Sequence, residues 1–322
     1  MKRICSRLIA ALCGLAAALL LLPTAALAQG AIDLTRPVEL TVHYEHDATP
    51  LAGAQFDLYL VATVDKTGEL TPTEDFDLYS VEIRGKNDEA WNRLAAAMEG
   101  YVQKAGLASA ASGVTNEAGE LVFPTGNQPL TPGLYLLAGQ RHEQDGSYYD
   151  AAPCFVLLPA RDDTDNTWRY SVTVKPKSEI TPVPATPGTV TRKVLKVWKD
   201  GGGKNRPQSV TVTLLCDGVA YDTVTLNADN NWRHTWTDLD GRCRWTLAEE
   251  LVEGYTTQIA REGLTFVVTN TGTGPASTPP PKTPMPDRLP QTGQLWWPVP
   301  LLLAAGLVLV IAGLLRRRRS GR

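Results

Sequence analysis

Three polar residues of the chain stand in phase with large apolar side chains, on segments whose alternation predicts β-strands. They are Lys196, Glu249 and Asn270. Because side chains two residues apart share one face of a strand, each of the three would share a face with its large apolar neighbours. From the pattern alone, Lys196 could equally be an edge charge, Glu249 a solvated strand residue and Asn270 a turn residue. A lysine in an apolar core loses its proton easily and becomes an amine nucleophile, whereas burial lets a glutamate act as an acid. The apolar residues in phase with them are Val194 and Trp198, Trp245 and Leu247, and Phe266 and Val268.

Two other charged residues, Glu250 and Lys193, could be the buried ones instead, and strand parity excludes only the first. Glu250 falls on the opposite face of its strand from Glu249 and is expected to point outward. Lys193 is in phase with Leu195 and Val197, so parity alone does not exclude it as the buried lysine.

Other residue types that bind metals or act as nucleophiles do not form a convincing set. His43 and His46 are three residues apart on a predicted strand, so they face opposite sides and make poor partners for a metal. The acidic loop of Asp162, Asp163 and Asp165 is expected to be solvated. The sequence has no plausible Ser/His/Asp or Cys/His set and no phosphate loop. We therefore expect no cofactor and no metal.

The chain has five cysteines, two of which lie in the first thirty residues. The other three, Cys154, Cys216 and Cys243, cannot all pair with one another. Cys216 and Cys243 each flank a predicted strand, so a disulfide between them and two free thiols are both open alternatives. The spacing fits neither a CxxC redox pair nor a zinc site.

Residues 29–178 form a first block whose apolar residues alternate in short runs separated by turn residues, a pattern that predicts an all-β sandwich. One segment departs from this pattern. Asn87 and Asp88 can cap a helix, apolar residues then recur at helical spacing, and Gly106 ends the segment. This inserted helix is expected to lie over an open edge or end of the sandwich.

Residues 191–271 form a second block, whose strand count suits a small Ig-like sandwich. The predicted fold is therefore all-β, with two tandem Ig-like β-sandwich domains. Between them, the proline-rich residues 179–190 predict a short extended linker. After them, the Pro/Thr-rich residues 272–288 cannot build a core and predict a wall-spanning stalk. The strands predicted in the second block lie near Val194–Trp198, Val210–Leu215, Thr223–Leu226, Trp232–Trp236, Trp245–Ala248 and Leu264–Asn270.

The residue patterns at the two ends of the chain predict targeting segments. Residues 1–28 combine a basic start, an apolar run and small residues at Ala26-Leu27-Ala28, which predicts a secretory signal peptide. Residues 294–322 contain an apolar stretch of about 20 residues, enough to cross a bilayer, followed by Arg316–Arg319. This order predicts a transmembrane helix with a cytoplasmic basic tail.

The segment between the two ends is acidic. The chain has 34 acidic and 31 basic residues. Eight of the basic residues and none of the acidic ones lie in residues 1–28 or beyond Gly293, which leaves 34 acidic against 23 basic residues and a formal net charge of −11. This charge disfavours binding to nucleic acid or to anionic polymers.

Several segments of the second block occur in the order of a known family. They are Val194-Leu195-Lys196-Val197-Trp198-Lys199-Asp200, Trp245-Thr246-Leu247-Ala248-Glu249-Glu250 with Gly254-Tyr255, and Val268-Thr269-Asn270-Thr271. The block resembles the collagen-adhesin (Cna) B-type domain. The resemblance implies an isopeptide bond between Lys196 on the first strand and Asn270 on the last, with Glu249 assisting its formation. The first strand of the first block, Glu39–Tyr44, has no lysine, so no such bond is expected there.

The residues directly before the apolar stretch are Leu289, Pro290, Gln291, Thr292 and Gly293. They resemble the LPXTG sorting motif, and motif, helix and basic tail follow in the order of proteins anchored by sortase. The resemblance implies that a sortase cuts between Thr292 and Gly293 and passes the Thr292 carboxyl to an amine. That amine would belong to the peptidoglycan cross-bridge or to another subunit.

The first block ends on Trp168-Arg169-Tyr170-Ser171-Val172-Thr173-Val174-Lys175-Pro176-Lys177-Ser178. This stretch resembles the motif WxxxVxVYPKN of sortase-assembled pilins, with Lys175 in place of the tyrosine and Ser178 in place of the asparagine. The resemblance implies that the Lys177 amine joins Thr292 of a neighbouring subunit. Pro176 is expected to end the strand ladder and to leave Lys177 accessible beside the linker.

These observations favour a structural protein of the Gram-positive cell wall over an enzyme. We interpret the chain as a secreted pilin subunit that is polymerised by sortase, anchored to the wall, or both. Its partners would be the sortase, the peptidoglycan cross-bridge and other pilin subunits. The alternative is a monomeric adhesin that is attached to the wall through the same LPXTG motif and does not polymerise. No adhesive ligand can be named from the sequence.

Overall fold

The computed structural model of the chain describes residues 30–77, 87–162, 164, 167–186, 188–202 and 206–272. The predicted signal peptide, the sorting motif at residues 289–293 and the predicted membrane helix and tail at residues 294–322 lie outside these residues, as does the stalk from residue 273 onward. Within the described part of the chain, no helix is both long and apolar enough to cross a membrane.

The first domain is built of short strands, one α-helix, α1 (Asp88–Ala105), and a 3₁₀ turn at Glu74–Phe76. Its strands are β1 (Glu39–His43), β2 (Glu45–His46), β3 (Thr49–Pro50), β4 (Gln55–Val64), β5 (Leu70–Pro72), β6 (Ala111–Val114), β7 (Glu120–Phe123), β8 (Gly133–Gly139), β9 (His142–Gln144), β10 (Ser147–Ala151), β11 (Cys154–Leu158), β12 (Ala160–Arg161), β13 (Trp168–Arg169), β14 (Ser171–Val174) and β15 (Ser178–Pro182). Its three larger sheets have the orders β14-β1-β7, β11-β8-β4-β5 with β6 also on β4, and β15-β10-β9. Alternate side chains of these strands, such as Leu40, Phe56 and Leu137, fill a common core.

The second domain packs two sheets face to face. Its strands are β16 (Thr189–Lys199), β17 (Ser209–Cys216), β18 (Val219–Asn227), β19 (Arg233–Asp240), β20 (Trp245–Glu249), β21 (Tyr255–Glu262) and β22 (Thr265–Gly272). One sheet has the order β19-β16-β22-β21 and the other the order β18-β17-β20. The predicted all-β fold with one inserted helix is confirmed, although strand β21 was not among the predicted strands.

The first and last strands of the second domain, β16 and β22, are neighbours and run parallel. Their register is continuous from Lys193 opposite Thr265 to Lys199 opposite Thr271. Strand β21 then pairs with the other edge of β22 in antiparallel register. The two outermost segments of this domain in sequence therefore form the middle of one sheet.

Helix α1 begins and ends where the sequence predicts. The side chain of Asn87 accepts a hydrogen bond from the backbone N–H of Ala90 at 2.9 Å. Gly106 ends the helix with φ of 62°, in the left-handed conformation that glycine adopts without steric cost.

Helix α1 contacts edge strands of both domains, β11 of the first and β20 and β21 of the second, and so covers more than the first sandwich. Leu94, Met98 and Val102 pack into the first domain, whereas Ala97 belongs to the core of the second. Gly100 allows the closest approach, since a Cβ atom there would lie 2.1 Å from the carbonyl oxygen of Leu247. The helix lies between the domains because it presents large apolar residues on one side and small ones on the other.

Part of the predicted linker at residues 179–190 forms a strand. Strand β15 pairs in antiparallel register with β10 of the first domain, from Ser178 opposite Ala151 to Pro182 opposite Ser147. Residues 178–181 each have a backbone N–H that can join a ladder, and the pairing ends at Pro182, which has none. Strand β16 of the second domain then begins at Thr189.

A buried ionic cluster joins the two domains. Both guanidinium Nη atoms of Arg244, in the second domain, donate to the carboxylate of Glu99 on α1, at 2.8 and 3.1 Å. The same side chain donates to the carbonyl oxygens of Gly139 and Ala151, and its Nε lies 3.7 Å from Oδ1 of Asp150. Burial raises the pKa of Glu99, and the charge of Arg244 acts against that rise.

A disulfide holds the segment that presents this arginine. Cys216 and Cys243 are joined, which settles the alternative that the sequence left open. The backbone N–H of Arg244 also donates to Oδ1 of Asp217 at 2.8 Å. The disulfide and this hydrogen bond therefore hold the start of β20 next to the end of β17.

Candidate functional site

Lys196 lies on β16, in the interior of its sheet, and its side chain is fully buried. Lys193, which parity alone did not exclude, is exposed. Lys196 follows Val194 on the inner face, and its backbone N–H donates to the carbonyl oxygen of Trp232 at 2.9 Å. The structure thus identifies the lysine that faces the core.

Asn270 and Glu249 approach the same place from two different sheets. Asn270 lies on β22 and faces the core, two residues beyond the partner of Lys196 in the parallel register. Glu249 lies on β20 of the facing sheet and is 5 % exposed, whereas Glu250 is exposed. Lysine and asparagine therefore stand on adjacent strands, and the glutamate meets the lysine from across the sandwich.

The contact between lysine and glutamate is close. The Nζ atom of Lys196 lies 2.6 Å from Oε1 of Glu249, and both side chains are inaccessible to solvent. The two atoms are at ion-pair distance without the alignment of a hydrogen bond. The Lys196 amine also lies over the ring of Trp198, with Nζ 4.7 Å from the ring centroid.

Burial changes the acid–base behaviour of the lysine. Desolvation lowers the pKa of Lys196 from 10.5 to about 8, and the charge of Glu249 opposes this effect without cancelling it. The lowered pKa makes the neutral amine, which is the nucleophilic form, far more accessible than it is on an exposed lysine.

The amide of Asn270 is unusually placed for a buried group. Among the described residues, neither its nitrogen nor its oxygen has a hydrogen-bond partner, although Asn270 is completely buried. Leaving a buried polar group unpaired costs about 1–3 kcal/mol. Such a cost indicates a role other than packing for this side chain.

One residue of the site was missed in the sequence. Thr257 on β21 is buried, and its hydroxyl donates to Oε2 of Glu249 at 3.0 Å. The alternation of Tyr255, Thr257 and Ile259 would have indicated a strand with Thr257 in phase with apolar neighbours.

The lowered pKa of Lys196 predicts a pH dependence for a chain in which this lysine stays free. In the Asn270→Ala variant, the folded state holds the Lys196 proton less tightly than the unfolded state does. Between pH 8 and 10.5 the unfolded chain therefore binds more protons, so the stability of the fold rises with pH. We expect a gain of about 2 kcal/mol between pH 8 and 9.5.

Urea unfolding at several pH values measures this gain. The control is the double variant Lys196→Met, Asn270→Ala, which lacks the titrating amine and should not show the rise. Equal pH profiles for the single and double variants would contradict the lowered pKa.

Lys177 lies at the junction of the two domains. It is exposed, between the end of β14 and the start of β15, while Pro176 before it is buried. The strand ladder resumes directly after it, and its carbonyl oxygen accepts a hydrogen bond from the backbone N–H of Ala152 at 2.8 Å. Lys177 lines a cavity of about 320 Å³ between the domains, together with apolar side chains that include Phe266. The lysine is thus exposed as expected, but on an ordered segment.

Both histidines lie near polar side chains, and Asp162 of the acidic loop is paired. Nδ1 of His43 lies 3.6 Å from Glu45, and Nδ1 of His46 lies 2.9 Å from the hydroxyl of Ser178. Asp162 accepts a hydrogen bond from Arg169 at 3.0 Å. Asp163 and Asp165 lie outside the described residues.

Residues 192–271 match the family model of the Cna protein B-type domain, which is about a quarter of the chain. A stretch of 95 residues is 39% identical to the collagen adhesin of Staphylococcus aureus, and it covers 26% of this chain and 8% of that protein. The chain thus spans less than a tenth of the length of this curated relative.

Three of the similar solved structures are one B repeat unit and two pilins. A single B repeat unit of the collagen binding protein Cna of Staphylococcus aureus has 18% identity and a TM-score of 0.26, covering 74% of this chain and 98% of its own. The shaft pilin SpaA of Lactobacillus rhamnosus GG has 17% identity and a TM-score of 0.25, covering 74% and 99%. The major pilin SpaD of Corynebacterium diphtheriae has 17% identity and a TM-score of 0.30, covering 75% and 65%.

Proposed function

We propose that the chain is a structural protein of the Gram-positive cell surface, a pilin subunit that strengthens itself with an isopeptide bond between Lys196 and Asn270. The observation that carries the proposal is the buried arrangement of Lys196, Glu249 and Asn270. The family match over residues 192–271 supports it, because the segment includes all three residues. The bond is tested by mapping a crosslinked peptide that contains both Lys196 and Asn270.

The bond forms by an exchange of one amine for another at the side-chain carbonyl of Asn270. The neutral Nζ of Lys196 attacks Cγ of Asn270, the bond from Cγ to Nδ2 breaks, and ammonia leaves with a proton from the lysine. No oxidant or cofactor is consumed. The fold supplies the proximity, because the two strands hold amine and amide on one face of the same sheet.

Glu249 is the residue that moves protons in this reaction. Its Oε1 is 2.6 Å from the amine that must lose protons. A carboxylate in that place can take a proton from the lysine and return it to the departing nitrogen. The site is closed to water, and among the described residues Nζ has no hydrogen-bond partner, which leaves the Glu249 carboxylate as the base beside it.

We further propose that Lys177 is the amine that joins neighbouring subunits. A sortase acyl-enzyme formed at Thr292 of one copy would be attacked by Nζ of Lys177 in the next. The exposure of Lys177 between two ordered strands supports the proposal, because the amine is accessible while its backbone is fixed. The sortase and the wall cross-bridge are then the other partners of the chain.

Replacing Lys177 by alanine is expected to abolish polymerisation. Boiled cell-wall extracts of the native strain should show a ladder of high-mass species, and Lys177→Ala should reduce it to the subunit, since no other amine replaces the lost one. The matched control is Lys175→Ala, two residues away and also exposed, whose amine pairs with Glu45 at 2.9 Å. Its ladder should be unchanged.

A monomeric wall-anchored adhesin is the second candidate, favoured by the identity to a collagen adhesin. The same gel decides between them. A single band of subunit size in the native strain would exclude the pilin and support the adhesin. A ladder that persists in Lys177→Ala would keep the polymer and overturn the role of Lys177.

A further inference from the structure

The side chain of Thr257 reaches the proposed reaction centre from the fourth strand of its sheet. Thr257 on β21 stands directly opposite Asn270 in the antiparallel register with β22. Lys196, Asn270 and Thr257 therefore occupy three consecutive strands of one sheet, and Glu249 faces them from the other. We propose that Thr257 is a positioning residue, whose hydroxyl orients the Glu249 carboxylate toward the Lys196 amine. This inference rests on the proposed bond.

The two oxygens of the carboxylate have different partners. Oε2 accepts the hydrogen bond from Thr257 at 3.0 Å, and Oε1 lies 2.6 Å from Nζ of Lys196. In the part of the chain that the structure describes, Oε1 has no aligned hydrogen-bond partner. The last torsion of a glutamate side chain is broad and weakly restrained by its own geometry. The Thr257 hydroxyl is thus the contact that fixes how the carboxylate is turned.

The position of Thr257 suits this task. Its side chain is buried, so water does not compete for the carboxylate, and a hydrogen bond to a charged group is strong in such surroundings. A β-branched residue on a strand also has a restricted χ1 angle, which holds the hydroxyl in place. No hydrogen bond joins Thr257 to the amine, so it acts through Glu249.

The test compares the rate of crosslinking in variants of the full-length chain. The chain is made by cell-free translation, and the fraction that contains the Lys196–Asn270 crosslinked peptide is followed over time. Thr257→Val keeps the shape of the side chain but removes the hydroxyl, and it should slow the reaction about tenfold. Thr257→Ser keeps the hydroxyl and should recover most of the rate. Thr256→Val, on the other face of the same strand, is the matched control.

Stability is measured in parallel, with each variant combined with Asn270→Ala so that no crosslink contributes. A slow Thr257→Val variant that is as stable as its parent supports the proposal. Equal rates for Thr257→Val and the native chain would overturn it. So would a loss of rate in both Thr257→Val and Thr257→Ser that follows their loss of stability. If the native chain forms no crosslink, the proposed bond itself fails, which is a separate outcome.

Discussion

Replacing Glu249 by alanine is expected to leave Lys196 and Asn270 unjoined. The native chain should be lighter than its sequence by one ammonia, and Glu249→Ala should keep the full mass because the group that moves the protons is gone. The missing bond should also cost stability, since it closes a loop of about 75 residues and such a crosslink is worth about 4 kcal/mol by its effect on the unfolded chain. Intact mass and urea unfolding measure the two effects.

The neighbouring residue provides a matched control for this experiment. Glu250 is exposed and pairs with Lys104 on the surface, so Glu250→Ala should retain both the ammonia loss and the stability. Likewise, Lys196→Met should keep the ammonia, whereas the exposed Lys193→Met should lose it as the native chain does. A native chain of unchanged mass would refute the bond.

Replacing Arg244 by methionine is expected to give the largest loss of stability outside the crosslink. The change leaves the Glu99 carboxylate buried without its bidentate partner, and breaking a buried ion pair in this way typically costs about 3–5 kcal/mol. Asp150 keeps a hydrogen bond from Arg141 at 2.9 Å. Glu99 should therefore account for most of the loss, as measured by urea unfolding.

The pH dependence of this loss identifies its cause. Burial without the guanidinium raises the pKa of Glu99 further, so the folded variant takes up a proton that the unfolded chain does not. Stability of the variant should then fall as pH rises above the ordinary range of a carboxyl pKa, relative to the native chain. Adding Glu99→Gln to Arg244→Met should remove this dependence. Arg242→Met, which breaks only an exposed pair with Asp240, should have little effect on stability.

The sequence predicts which strands carry the residues of the proposed reaction site because strand periodicity is local. Alternation puts Lys196, Glu249 and Asn270 in phase with large apolar side chains, and the structure buries all three. It does not decide between Lys193 and Lys196, because the choice depends on which face of β16 meets the second sheet. The segment containing Thr257 was not predicted as a strand, and its hydrogen bond to Glu249 depends on packing between sheets.

The contacts between the two domains could not be predicted from the sequence. Helix α1 has two different apolar faces, and each packs against one domain. The need for a glycine at position 100 is evident only once the carbonyl group of Leu247 is seen to pack against it. Glu99 and Arg244 look like ordinary charged residues in the sequence. They become a pair only because residues 145 positions apart are brought together. The pairing of β15 with β10, inside the predicted linker at residues 179–190, was not predicted for the same reason.

The parallel pairing of β16 and β22 has a mechanical consequence. The chain enters the second domain at Thr189, at one end of β16, and leaves it at Gly272, at the opposite end of β22. Tension on the two ends therefore pulls the strands past each other along their length. The hydrogen bonds between the two strands, from Lys193 to Lys199, then bear the force together and do not break one after another. This domain is arranged to resist stretching even before any covalent bond joins its first strand to its last.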